Sequence, residues 1–163
     1  LRLRQHRMAD FEPFWAFYQG QRAGHVSAPA NRTHHWYGMA SEVASWPLCG
    51  YGGWAVDLRD GRLVGQIAII QPPHFPELEI GWILLDGYEG HGYAYEAAEA
   101  ALRWAWSALP IDTLISYIDP ANARSIALAK RLGAVHDPAA RVFDDGDLVF
   151  RHRRPAADAE ASA

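Results

Sequence analysis

Glu79-Ile80-Gly81-Trp82-Ile83-Leu84 and, a short turn later, Glu89-Gly90-His91-Gly92-Tyr93-Ala94-Tyr95-Glu96-Ala97 decide the reading of this chain. The first run alternates as a strand does, and the second passes through two glycines straight into a helical pattern. A helix start leaves about four backbone N–H groups without partners and carries roughly half a positive charge. Glycines there remove the Cβ atoms that would hold an anion away. The stretch predicts a phosphate cradle at the end of a strand.

The rest of the composition sets the frame. A chain of 163 residues, 50% apolar and 21% charged, is the size and make-up of one globular domain. A net charge of −4 gives no electrostatic footprint for nucleic acid or an anionic membrane, and neither is expected as a partner. No apolar run reaches the ~18 residues of a membrane span, and no signal-peptide pattern opens the sequence. Cys49 stands alone, which excludes an internal disulfide and fits a reducing compartment, so a cytoplasmic location is expected. Cys49 itself reads as a small core residue rather than a nucleophile. The eight histidines show no metal-ligand spacing, and the adjacent His34 and His35 diverge on a helix, so no metal is expected.

Working outward, residues 1–4 alternate as a first strand. Asp10 is placed to cap a helix running to about Gly20, with Phe11, Phe14, Trp15 and Tyr18 on one stripe. A second helix is expected from Asn31 to Ser45, stopped before Trp46-Pro47. Three hairpin-connected strands follow at 51–58, 62–71 and 77–84. The helix after the glycine turn extends to about Ala108 on a stripe of Ala97, Ala98, Ala101, Leu102 and Ala105, small enough for close packing on a sheet. A strand at 113–118 is entered from that helix and should lie parallel to the one before it. A helix at 122–132 stops at Gly133, and a last strand at 148–152 follows an Asp-Asp-Gly turn at 144–146. The order describes one α+β domain over 1–154 with a mixed, mostly antiparallel sheet and helices on both faces. Residues 155–163 read as a disordered tail.

This order and these motifs resemble the GNAT superfamily of acyl-CoA-dependent N-acetyltransferases. The family's Gln/Arg-x-x-Gly-x-Gly/Ala pattern falls on Glu89-Gly90-His91-Gly92-Tyr93-Ala94. The wider run from Glu79 to Ala97 resembles the branch that acetylates ribosomal-protein N-termini and related amines. A second match, Asn122-Ala123-Arg124-Ser125-Ile126 through Lys130-Arg131-Leu132-Gly133, lies about thirty residues on, with a strand between, in the order that branch has. Two departures stand out. Glu89 replaces the usual Gln or Arg, and its side chain is expected to turn away from the cofactor. Ala129 stands where many relatives carry a tyrosine that protonates the leaving thiolate.

The resemblance implies a site. The amides of Gly90, His91, Gly92, Tyr93, Ala94 and Tyr95 would bind the pyrophosphate of acetyl-CoA. A splay at a β-bulge would expose backbone groups of Trp82, Ile83 and Leu84 to the pantetheine, and a backbone N–H there would polarise the thioester carbonyl. Glu79 matches the family's Glu at the start of the motif strand and is the candidate general base, with Glu77, His74 or a water as the other ways to take a proton from an ammonium of pKa about 10. Asn122 would bond the pantetheine, against the alternative of an ordinary helix cap. Ser125 would contact the cofactor and donate to the thiolate, against the alternative of bonding back into its own helix. Trp36, Tyr37, Trp46, Trp54 and Trp82 line an acceptor pocket or fill core, with the second helix as the acceptor wall.

The function so implied is transfer of an acetyl group from acetyl-CoA to a primary amine, a protein N-terminus or a small molecule, by direct attack in a ternary complex. A non-catalytic acyl-CoA sensor and a nucleotide-binding protein using the glycine turn are the alternatives. The oligomeric state stays open, a homodimer included.

Overall fold

Seven strands form one sheet among the described residues, in the order β1-β2-β3-β4-β5-β7-β6. The computed structural model describes residues 1–142, 144 and 146–156. The expected disordered tail lies, from residue 157 on, outside the described residues. The strands are β1 (Arg2–Arg4), β2 (Gly53–Asp57), β3 (Leu63–Ile70), β4 (Glu79–Leu84), β5 (Thr113–Ile118), β6 (Val135–His136) and β7 (Leu148–Arg153). The helices are α1 (Phe11–Tyr18), α2 (Arg32–Cys49), α3 (Tyr93–Ala108) and α4 (Ala123–Arg131). Short 3-10 turns at Met8–Asp10 and Gln21–His25 flank α1.

The alanine stripe of α3 does what its periodicity predicts. Ala97, Ala98, Ala101, Leu102 and Ala105 are its buried residues, seated on Ile67 and Ile69 of β3 and Ile80 of β4. Burying a side chain such as Ile80 is worth roughly 1.5–3 kcal/mol, and the missing bulk on α3 lets the helix come down onto the strand that feeds the site. The opposite face of β4 is covered by Phe14 and Phe17 of α1 with Ala23 and Leu85, against which Ile83 packs. A third cluster, Ile118, Ala129, Ala134 and Phe150, holds α4 to the far half of the sheet, with Trp82 at its margin.

The middle of the sheet is split. β4 and β5 run parallel and share a single register pair, Glu79 with Ile115. The Ile115 N–H adds a bond to the Leu78 carbonyl at 3.0 Å. Beyond that point β4 stays paired with β3 up to Leu84, and β5 stays paired with β7 over its whole length. Each strand keeps one neighbour and turns an open edge toward the other. The β-bulge expected at the splay is absent among the described residues of β4, which holds an unbroken register with β3; a register shift lies instead in the β2–β3 pair, between Val56 and Asp57. At the fork, the Ser116 hydroxyl donates to the Ile80 carbonyl at 2.6 Å.

Three local expectations are corrected. Asp10 does not cap α1: its backbone is itself helical, and its buried carboxylate accepts from the Arg4 guanidinium and the Arg7 N–H. With the turn of chain set by that ion pair, Phe17 joins Phe11 and Phe14 as the buried side of α1 in place of Trp15 and Tyr18. α2 runs through Trp46-Pro47 to Cys49. Pro47 cannot donate within the helix, a loss of about 3 kcal/mol in isolation. The last turn is held from outside, because Trp46 packs against Trp54 and Trp104 and its indole N–H donates to the Gly53 carbonyl at 3.0 Å. β6 is too short, at two residues, to show a periodicity and was not expected from the sequence.

Candidate active site

A cleft of about 630 Å³ runs through the split between β4 and β5. Trp82, Asn122, Ser125, Tyr18, Glu42, Phe75, Glu79 and Ser116 are among the residues that line it. At the C-terminal end of β4 the chain passes Gly90 and Gly92, both at φ 80°, into α3. No side chain caps α3. Its first intrahelical acceptor is the Gly92 carbonyl, bonded by Glu96 N at 3.1 Å. The amides of Tyr93, Ala94 and Tyr95 therefore precede the first helical bond.

The surroundings of that turn are more basic than the sequence suggests. Glu89 folds back: one carboxylate oxygen accepts from the Gly87 N–H at 2.8 Å, and the other pairs with the Arg22 guanidinium at 2.9 Å. Arg124 approaches the same carboxylate at 3.8 Å, and Arg131 lies over the Tyr95 ring at 4.1 Å. The acid at the motif position is thus turned aside and neutralised.

Strand parity narrows the expected backbone donors. The Ile80 carbonyl is reached from the β5 side by Ser116 and the Leu84 carbonyl by Arg22 at 2.9 Å, whereas Leu85 N bonds Val64 on β3. Alternation then turns the peptide groups of Trp82 into the gap and those of Ile83 toward β3. Of the three residues expected to offer backbone groups, Trp82 keeps that geometry. Leu84 has its carbonyl occupied by Arg22, and Ile83 also lines the cleft.

Asn122 takes the cap position, its side-chain oxygen accepting from Ser125 N at 3.1 Å. That bond leaves the two amide donors of Asn122 uncommitted by the cap. Ser125 does not bond back into its helix through its oxygen; the Trp82 indole N–H donates to its Oγ at 3.1 Å. A hydroxyl that accepts from an indole still has its own proton to give.

Glu79 sits half-buried in the cleft at the fork. Burial pushes its carboxyl up to about 7; a hydrogen bond from the Tyr117 backbone opposes the rise, and the charges of Asp147 and Glu42 add to it. A carboxyl in that range is suited to exchanging protons near neutrality. The alternative Glu77 is removed from this role. Arg151 grips both its oxygens, at 2.6 and 2.9 Å, and holds its carboxyl below the usual range. His74 is exposed, its ring edge-on to Phe75 at 4.9 Å, and does not line the cleft.

Other expectations resolve by position. Trp46 and Trp54 belong to a structural cluster with Trp104, and Trp36 and Tyr37 face solvent on the outside of α2. Among the residues lining the cleft, α2 contributes Glu42, which the sequence gave no reason to single out. Cys49 is exposed rather than buried, and it does not line the cleft. His35 is buried with its Nε2 3.0 Å from the Phe11 carbonyl, so the His34-His35 pair does diverge.

The split sheet, with its open edge leading to an uncapped, glycine-preceded helix, is the setting of the cleft. The model of the Acetyltransferase (GNAT) domain matches residues 1–135, and the chain belongs to that family. It is 39% identical to an acetyltransferase of known structure from Agrobacterium tumefaciens, with a TM-score of 0.90 over 94% of each chain. It is 31% identical to the uncharacterized protein YkkB of Bacillus subtilis over 64% of this chain and 63% of that one, so it spans less than two thirds of that curated relative's length. At 14% identity the fold alone is shared with RimL, a ribosomal L7/L12 alpha-N-protein acetyltransferase solved in complex with coenzyme A (TM-score 0.72, over 93% of this chain and 92% of that chain). No helix of the described residues is long and apolar enough to cross a membrane.

Proposed function

We propose that the chain is an N-acetyltransferase that moves the acetyl group of acetyl-CoA onto a primary amine by direct attack. The observation that carries this is the position of Glu79, a carboxyl pushed up to about 7 at the fork of the split, in the same cleft as Trp82 and Ser125. The amides from Gly90 to Tyr95 would hold the pyrophosphate, with Arg124 and Arg131 adding positive charge beside it. Trp82 would offer its peptide groups to the pantetheine as a strand offers them to a neighbour, and its N–H would polarise the thioester carbonyl. Asn122 would steady the same arm through its amide donors. Glu79 would take the proton from the attacking ammonium, and Ser125 would give one to the departing thiolate.

The acceptor is a cationic amine. Glu42, Glu79, Asp119, Asp144 and Asp147 line the cleft among the described residues, with His25 as the single basic side chain and no Arg or Lys. Such a field raises the local concentration of a positively charged substrate. A protein N-terminus and a small diamine both answer to that description. The unpaired Cys49 fits a reducing cytoplasm. The nucleotide-binding alternative fits poorly, because the glycine turn closes a strand of a mostly antiparallel sheet rather than opening a parallel one.

Free-thiol release from acetyl-CoA, measured across a panel of cationic and neutral amines, tests the proposal. Turnover with cationic primary amines is the expected result. Acetyl-CoA binding with no turnover on any amine would favour the sensor reading.

A further inference from the structure

α2 has two faces of the kind that folding buries, and its own chain covers one of them. The inner face carries His35, the single buried residue of the helix, with Glu42 and Trp46. That side is filled. Trp46 packs on Trp54 and Trp104, a Cβ on Gly53 would collide with the Glu42 carboxylate, and one on Gly52 would collide with the Glu42 carbonyl.

About a third of a turn round the helix, at ~100° per residue, runs a second row: Trp36, Met39, Ala40, Val43, Ala44 and Pro47. The spacing i, i+3, i+4, i+7, i+8, i+11 is that of a face made to be covered. All six line one groove of about 620 Å³, whose other wall is residues 5–8. Arg7 is the single Arg, Lys, Asp or Glu lining it among the described residues.

The row is open to solvent. Trp36 is 46% exposed, Tyr37 beside it 56%, Leu48 just past Pro47 80%, and Met8 on the far wall 65%. These are four of the six large apolar side chains exposed among the described residues, so the exposure is a patch rather than a scatter. The four alone present roughly 500 Å² at the areas usual for such side chains. The row between them adds to that, toward the ~800 Å² that each partner commits to a stable interface.

The row also shows what fits it. Turned end for end it maps onto itself: Trp36 falls opposite Pro47, Met39 opposite Ala44, and Ala40 opposite Val43. Each pairing sets a larger side chain against a smaller one. An identical helix, antiparallel across a two-fold axis, meets the row in this register, which is the self-complementarity an isologous interface requires. Aromatic and Met side chains with almost no charge are the composition of the core of such an interface.

We propose that α2 is the contact between two copies of this chain, packed antiparallel about a two-fold axis between Ala40 and Val43, with Met8 at the rim. The inference does not depend on the acetyltransferase reading. It bears on the cleft all the same, because α2 carries Glu42 into it and the partner supplies the burial that the helix lacks on its own chain.

The test is sedimentation equilibrium of the whole chain up to about 100 μM, with thermal unfolding over the same range. The wild type should sediment at twice the chain mass, with a Tm that rises with concentration. Ala40→Glu puts a good helix former at an incompletely buried position. It would bury two unpaired carboxylates at the axis and should raise the dimer Kd about 100-fold or more, leaving a monomer with the wild-type circular dichroism. In a Cys49→Ser background, Ala40→Cys with Val43→Cys should give, on mild oxidation, a covalent dimer joined between positions 40 and 43. A monomeric wild type would overturn the proposal. So would a dimer that survives Ala40→Glu, or one that gives no link between 40 and 43. If Ala40→Glu fails to fold, the cross-link decides. Thiol release takes no part in these measurements, so failure of the acetyltransferase reading leaves their outcome untouched.

Discussion

The indole N–H of Trp82 donates to the hydroxyl of Ser125 across the split sheet, at 3.1 Å. Trp82 belongs to the strand whose peptide groups face the gap, and Ser125 belongs to the helix that Asn122 caps. The bond fixes which lone pair of Ser125 is used and leaves its proton available. It links the two sequence motifs, more than forty residues apart, in one side-chain contact.

On the proposed mechanism, removing the Ser125 hydroxyl should slow chemistry without loosening the coenzyme. Ser125→Ala is expected to lower kcat about 10²-fold with the KM for acetyl-CoA within twofold, as for loss of a general acid. Trp82→Phe, which frees the hydroxyl to rotate, should cost less. Steady-state kinetics with acetyl-CoA varied checks both.

Glu79 predicts a pH profile and a stability profile with defined signs. As a base it must be ionised, so kcat/KM should rise through about pH 7, and Glu79→Gln should lower it and remove that limb. For stability, a folded value of about 7 against an ordinary 4.5 means the native state binds the proton more tightly. Its contribution is full below about pH 4.5 and is lost as pH rises through about 7. Glu79→Gln should therefore gain in Tm relative to the wild type above pH 7, read by thermal unfolding.

Glu77 should behave oppositely. Its two bonds to Arg151 are structural, so Glu77→Gln is expected to cost about 2 kcal/mol of stability, as for lost charge-assisted hydrogen bonds. Its pH–rate profile should keep the wild-type shape.

Asn122 separates capping from ligand binding by two substitutions. Asn122→Ala loses the cap to Ser125 N, about 1 kcal/mol, and the amide donors together. Asn122→Asp keeps a capping oxygen and loses the donors, so it should restore Tm while acetyl-CoA binding stays weak by calorimetric titration.

His152 makes the fold acid-sensitive. Because the Ser116 hydroxyl donates to Ile80, His152 must donate to Ser116 from Nε2, at 3.2 Å, which leaves Nδ1 unprotonated and buried. Burial pushes this imidazole down to about 4 from 6.5, so the unfolded chain binds the proton first and stability falls as pH drops from about 6.5 toward 4. His152→Gln should flatten that part of the Tm–pH curve.

Local signals were legible in the sequence and long-range pairings were not. The α3 stripe and the Gly90–Gly92 turn are written in consecutive residues, and the structure follows them closely. The helix through Pro47 is different, because what holds its last turn is Trp54 and Trp104, distant in sequence. Glu77 and Glu79 look alike in sequence, and what separates them is Arg151, 74 residues beyond Glu77. Glu42 carries no motif. Its neighbours Gly52 and Gly53 were the available sign that something approaches that strand closely.

The central claim, that coenzyme A lies along the open edge of β4 with its phosphates on α3, is tested most directly by thermal unfolding with acetyl-CoA, CoA, NAD and ATP. Acetyl-CoA and CoA at 100-fold over their Kd should each add about 2.7 kcal/mol, with NAD and ATP giving no comparable shift. No stabilisation by either CoA species would contradict the account.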